Sequence, residues 1–310
     1  MADISVSAAA GAGFKLIGSK PVSVFIWGLL MVLLAIGPFV LLFGPLIPQY
    51  MDFMRDRFTH PATPPQLATI MPFYTRMNAA SSVMRLGGLL TAAVINAAVF
   101  RAVIEPRNRG FAYLQFGMRE IWLIVLSIAE VLLWIGMIIL AGLAVAAITG
   151  VTGHFAGQSW AVLACVVSCL VAAFTLIVVG LRLSMAGPMT FADGEFRLFQ
   201  SWRLTRGHAW QIFLVALLLF VILLGVGLVV MTVEWLTVLP LFMSYVADPH
   251  AADGLRAMLS QSPEVWLKTA WPWVVAGLIG LAICAGVGRA IVAAPWAAVY
   301  RMLKGEAAAA

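Results

Sequence analysis

Charge is what this chain has least of. Only 10% of its 310 residues are Asp, Glu, Lys or Arg, whereas 63% are hydrophobic. A soluble domain carries about 25% charged residues, so that class is excluded. Residues that build reactive centres are equally thin. There are four histidines, His60, His154, His208 and His250, in separate segments, and no His-x-x-x-His or Cys-x-x-Cys spacing that would hold a metal. The three cysteines, Cys165, Cys169 and Cys284, fall in apolar runs and read as small packing residues. A phosphate-binding glycine loop, a nucleophile elbow and a kinase-like pattern are all missing. The composition therefore implies no metal site, no cofactor and no enzyme activity.

What the chain does have is long apolar runs. Residues 21–51, 121–129, 131–181, 212–233 and 269–288 contain no charged side chain. A helix rises about 1.5 Å per residue, so roughly 20 apolar residues cross a hydrocarbon core of about 30 Å. With a mean hydropathy of +1.02, the pattern predicts an all-α integral membrane protein whose whole length, 1–310, is one polytopic domain. Six spans are expected at 22–47, 77–100, 121–148, 159–181, 212–233 and 270–293. Trp122, Trp160 and Trp210 stand at span beginnings, and Trp235, Trp271 and Trp273 flank the last loop, where interfacial aromatics belong. The Ala/Gly-rich opening is short and the first apolar segment is long enough to stay in the membrane, so no signal peptide is expected.

Lysine and arginine are sorted by side. One side holds Arg55, Arg57, Arg76, Arg85, Arg256 and Lys268, leaving 13 of the 19 cations on the side of both termini. The positive-inside rule then puts both termini in the cytoplasm. The net charge of +6 reads as attraction to an anionic leaflet, and nucleic acid is not an expected partner.

A repeated unit is visible as well. Gly88, Ala93, Ala97, Ala98, Val99 and Arg101 align without gaps on Gly288, Ala293, Ala297, Ala298, Val299 and Arg301, with Phe100 opposite Tyr300. Phe14-Lys15-Leu16-Ile17 precedes span one as Phe196-Arg197-Leu198-Phe199 precedes span five, each with a serine five residues after its Phe. Three copies are expected, at 11–103, 111–188 and 191–303, each an interfacial amphipathic helix on the cytoplasmic side followed by a two-span hairpin, the middle one running from Phe111-Ala112-Tyr113-Leu114 to Arg182 at the end of its second span. In the third copy Asp193 would cap the interfacial helix and Gly207 would end it. Leu198, Trp202, Phe199 and Phe196 would share its apolar arc, Arg197, Gln200 and Ser201 would face away, and Arg203 would lie at the edge. Headgroup or partner contacts are expected from Arg197, Trp202, Arg203 and Arg206, and from Arg101 and Arg301 at the ends of spans two and six.

Between spans, residues 48–76 and 234–268 are long enough for helices of their own, with Pro61, Pro64, Pro65 and Pro72 breaking up the first and Ser262-Pro263-Glu264 starting a helix into span six. Gly87-Gly88, Gly225 and Gly227 are expected where membrane helices pack closely.

Glu130 interrupts the third span. A lone carboxylate at mid-depth costs roughly 2.5 to 3.5 kcal/mol on insertion scales, so it must be neutral, paired or wet. Glu130 follows Arg119 by 11 residues and Arg289 precedes Arg301 by 12, which places both about 17 Å from the same boundary at helical rise. Three states remain open: a structural pair of Glu130 with Arg289, a protonated Glu130 held by Ser127 or Ser168, and a proton, ion or substrate site.

The segment Ser201-Trp202-Arg203-Leu204-Thr205-Arg206-Gly207-His208-Ala209-Trp210-Gln211-Ile212-Phe213 and its aliphatic continuation resemble a signature of the membrane domains attached to bacterial glycerophosphodiester phosphodiesterases and of their stand-alone six-span relatives. Pro295-Trp296-Ala297-Ala298-Val299-Tyr300-Arg301 is similar to the closing motif of that family. The catalytic barrel has no counterpart here, so the resemblance implies a helical membrane module tied to lipids or envelope maintenance and carries no hydrolysis with it. Three functions are weighed: a lipid-interacting protein or structural subunit of an envelope complex, binding anionic phospholipids or a membrane-protein partner; a transporter or channel using Glu130; and a lipid-modifying enzyme, which lacks a cluster of acid, base and nucleophile.

Overall fold

The computed structural model describes residues 4–46, 48–50, 52–53, 67–107, 110–247 and 263–305. The expected loops around Asp56 and Asp253, the prolines Pro61, Pro64 and Pro65, and the Ser262 cap lie outside them. Among the described residues the fold is all helix: α1 (Val6–Ala10), α2 (Ala12–Ser19), α3 (Pro21–Phe43), α4 (Leu67–Ile104), α5 (Met118–Ala156), α6 (Gln158–Leu183), α7 (Ala186–Asp193), α8 (Gln200–Leu204), α9 (Ala209–Ala247) and α10 (Pro263–Leu303). Six of them, α3, α4, α5, α6, α9 and α10, are long and apolar enough to cross a membrane. Each coincides with one expected span, α3 ending at Phe43, four residues short of the expected end at 47. The most apolar windows of the third and fourth spans are 0% and 6% buried inside the protein, so their leucines and valines face outward. That surface is stable only in lipid.

Helix ends correct the expected loops. Helix α9 does not stop at Val233 but runs through Glu234 and Trp235 to Ala247. Residues 228–239 contain neither Gly nor Pro, so nothing there breaks the helix. Pro72 lies inside α4 and does not divide a loop. Pro263 begins α10, and that helix continues without interruption to Leu303.

The chain divides into two compact units, residues 1–19, 93–218 and 290–310 in the first and residues 20–92 and 219–289 in the second. In the second unit α3 meets α10. Val24 and Val32 are buried on α3 on either side of Gly28, a stripe at i, i+4 and i+8. A Cβ on Gly28 would overlap the Ala282 carbonyl, and one on Gly286 would overlap the Val24 carbonyl. Only hydrogen fits at these positions. The glycines expected to serve this purpose do not: a Cβ on Gly87, Gly88, Gly225 or Gly227 would meet nothing within 4 Å. Spacing alone cannot tell which face of a helix meets a neighbour.

In the first unit four of the aligned pairs are buried alike, whereas Ala98 is fully buried and Ala298 only partly. Ala93, Ala97, Val99 and Phe100 on α4, and Ala293, Ala297, Val299 and Tyr300 on α10, are each at most 4% exposed. Helices α5 and α6 pack side by side and are joined by the single residue Gly157 at φ +88°. A side chain there would strain the turn.

Candidate functional site

The first unit is held together by a buried charge. Arg101 near the end of α4 pairs with Glu120 in the first turn of α5, and their side chains are 3% and 2% exposed. Glu120 uses its second oxygen to accept the Gly117 N–H at 2.9 Å, which satisfies an orphan donor at the start of α5. Arg101 also donates to the Tyr113 carbonyl at 2.7 Å. This bond fixes a strained turn, since Ala112 and Tyr113 both have left-handed backbone, at φ 49° and 60°. The fully buried Phe191 of α7 has the Arg101 guanidinium 5.2 Å and the Arg119 guanidinium 5.3 Å from its ring centroid, and Arg119 is paired with Glu105 at 2.6 Å. Two cations on one ring are tolerable because each has its own carboxylate.

Arg101 is therefore not available to headgroups, which corrects the expectation for that residue. Arg301 is half-buried and donates to the Val103 carbonyl at 3.1 Å. Arg182, the equivalent residue of the middle copy, donates to the Thr205 carbonyl at 2.9 Å. Each expected copy thus ends in an arginine bonded to a main-chain oxygen. Glu120 and Phe191 were not legible in the sequence, although the alignment of Arg101 with Arg301 pointed to this position.

The third interfacial segment differs from its expected form. Asp193 ends α7 and does not begin a helix, the chain turns at Gly194, and α8 has only five residues. Its expected apolar arc is also divided. Ser201 is buried and its hydroxyl lies 2.8 Å from the Arg182 carbonyl and 2.9 Å from the Leu198 carbonyl. With Arg182 bonded to Thr205 in return, the hydroxyl side of α8 is fastened to the end of α6. Leu198 is buried, while Phe199 and Trp202 turn outward at 67% and 41% exposure. The Arg182 guanidinium stands 5.8 Å from the Trp202 ring centroid and steadies it. Helix α8 ends at Leu204 with Thr205 as its cap, and Gly207, expected to end it, lies in the turn beyond at φ +87°.

A surface patch results. Phe199 and Trp202 are exposed apolar rings, and Trp210, 68% exposed and stacked on Phe213, stands at the start of α9. Arg203 and Arg206 beside them are exposed and form no ion pair among the described residues. Phe199, Gln200, Trp202 and Arg203 line a groove of ≈ 440 Å³. Arg197 differs from its neighbours, for it contacts Asp193 at 3.4 Å and Glu195 at 2.9 Å. Its charge is neutralised locally.

Glu130 and Arg289 fall in different units. Glu130 is half-buried on α5 and makes no hydrogen bond or ion pair within the first unit. Ser127 and Ser168 donate to the Leu123 and Ala164 carbonyls of their own helices, at 2.9 and 2.6 Å. In the second unit Arg289 donates to the Ala92 carbonyl at 3.2 Å, and its Nε is buried without a partner.

No family model matches this chain, and no curated protein and no solved structure matches it either.

Proposed function

We propose that this chain is a non-enzymatic, lipid-interacting protein of a bacterial inner membrane, a structural or regulatory subunit of an envelope complex, with both termini in the cytoplasm. Its six spans would form three hairpins, each introduced by a segment lying in the headgroup region. The observation that carries this reading is the patch on α8. Exposed Phe199 and Trp202 beside the unpaired Arg203 and Arg206 combine apolar rings for the acyl boundary with cations for phosphate. The sequence resemblance of this same segment to membrane modules of lipid metabolism agrees with it. Extraction of the protein with native lipids around it, followed by lipid identification, tests the reading. Anionic phospholipid should be retained by the native chain and depleted from an R203Q/R206Q variant; equal lipid content in both overturns it.

A second reading, a transporter or channel, is favoured by one observation: Glu130 lies within a span and has no bonding partner in its own unit. A coupled proton or ion flux lost in Glu130→Gln would support it.

A further inference from the structure

Helices α5 and α6 touch at both ends of their contact and stand apart between. Near the Gly157 turn a Cβ on Gly153 would lie 3.3 Å from the Ala161 methyl, and farther along the pair a Cβ on Gly180 would lie 3.3 Å from the Trp134 ring. The residues facing each other in the interval are too small to close it. Ala141, Ala144, Ala164 and Ala172 line a cavity of ≈ 640 Å³. Its lips, Leu140 and Val171, are 68% and 59% exposed, so it opens toward the surrounding lipid.

The chemistry of this groove restricts its occupant. The polar side chains in the lining are Ser168 and Thr175, and both hydroxyls donate to carbonyls of their own helix, to Ala164 at 2.6 Å and to Val171 at 2.8 Å. A stable internal water needs about two to four polar partners, which this lining does not supply. An empty gap would forfeit the dispersion contacts of every lining atom. An aliphatic chain satisfies both conditions. Along α5 the lining extends from Met137 to Ile148, about 17 Å at helical rise, close to half of a hydrocarbon core of about 30 Å. The groove matches one leaflet in length. Its Ile148 and Ala164 end is the one toward the Gly157 turn, and Trp160, one helical turn beyond Ala164, is 60% exposed, a residue type that settles at the headgroup boundary.

We propose that the groove between α5 and α6 seats one fatty-acyl chain of a phospholipid from the leaflet on the side of the Gly157 turn. This site is independent of the patch on α8. The chain enters sideways from the bilayer, with its headgroup beyond the Ile148 end of the groove and its methyl end toward Met137.

The test uses the full-length protein in vesicles of phosphatidylethanolamine and phosphatidylglycerol containing a phospholipid with a photoreactive diazirine in one acyl chain. Crosslinked positions are mapped by peptide mass spectrometry while unlabelled lipid is added as competitor. Labelling should concentrate on the lining of α5 and α6 and saturate. Ala144→Phe should lower it about tenfold, the factor that corresponds to 1.4 kcal/mol, with labelling at the outward-facing Leu132 and Leu170 unchanged. Ser168→Leu fills the same gap without a large ring and should act alike if the first variant does not insert. R203Q/R206Q should not alter groove labelling, so loss of the patch and loss of the groove are separable. Labelling in the groove that equals that at Leu132 and Leu170 and does not saturate means ordinary boundary lipid and overturns the proposal, as does undiminished labelling in both filled variants.

Discussion

Arg101 and Glu120 form an ion pair across 19 residues of sequence, with both side chains nearly sealed from solvent. It joins the end of α4 to the start of α5, and its guanidinium also holds the Tyr113 carbonyl. Breaking such a pair leaves one charge without compensation, which costs about 3 to 5 kcal/mol when the site is dry. Glu120→Gln and Arg101→Met should each lower unfolding stability in detergent by an amount of that order. R101M/E120M should be more stable than either single variant. A strictly additive double variant would show that the two side chains do not act as a pair.

Closest approach between helices gives a contrast of glycines. Gly286→Ala should cost about 1 to 3 kcal/mol, the usual range for overpacking, because its new methyl would meet the Val24 carbonyl. Gly88→Ala meets nothing within 4 Å and should be neutral or stabilising by up to about 1 kcal/mol through helix propensity. Thermal unfolding of the two variants in the same detergent decides it, and equal losses would contradict the crossing at Gly28 and Gly286.

At the patch, each exposed cation near an anionic surface is worth roughly 1 kcal/mol. A spin label at Phe199 should sit deeper in anionic than in neutral vesicles, and R203Q/R206Q should remove most of that difference while the helical content stays constant. Identical label depth in the two lipids would count against a headgroup role for α8.

A pairing of Glu130 with Arg289, one of the three states that the sequence leaves open, makes a distinct forecast. If the charges compensate each other, Glu130→Gln and Arg289→Met each destabilise, and the double variant recovers much of the loss. If Glu130 serves transport, Glu130→Gln leaves stability almost unchanged and abolishes an ion- or proton-coupled flux in proteoliposomes. The same pair of assays separates the outcomes.

Sidedness is open to direct labelling. Single cysteines introduced at His154 and at Lys304, in a background without Cys165, Cys169 and Cys284, should react from opposite faces of the membrane, with Lys304 on the cytoplasmic face. Reaction of the Lys304 position from outside would reverse the proposed orientation.

The spans were legible because lipid demands one property of every residue in a run, and a charge-free stretch such as 131–181 cannot hide. Other features depend on partners distant in sequence. Nothing local marks Glu120 as buried: it is the third residue of α5, where an acid often caps a helix in water, and only the arrival of Arg101 seals it. Gly28 stood unremarked among apolar neighbours, whereas Gly87-Gly88 attracted notice as a doublet, and the packing selected the first. At α8 the periodic arc put Phe199 and Trp202 on one side but did not show that Leu198 and Ser201 are buried. The Ser201 hydroxyl reaches the Arg182 carbonyl, and that one bond turns the aromatic side out.

The one-residue connection at Gly157 bears on how the chain is delivered to its membrane. From Val131 to Leu181 no ionised side chain occurs, and α5 and α6 meet with no polar loop between them. Insertion machinery that releases helices sideways would have almost nothing hydrophilic to push across between the two. The pair can partition as a single wedge, and lengthening the turn with charged residues would convert that cheap step into two separate translocation decisions.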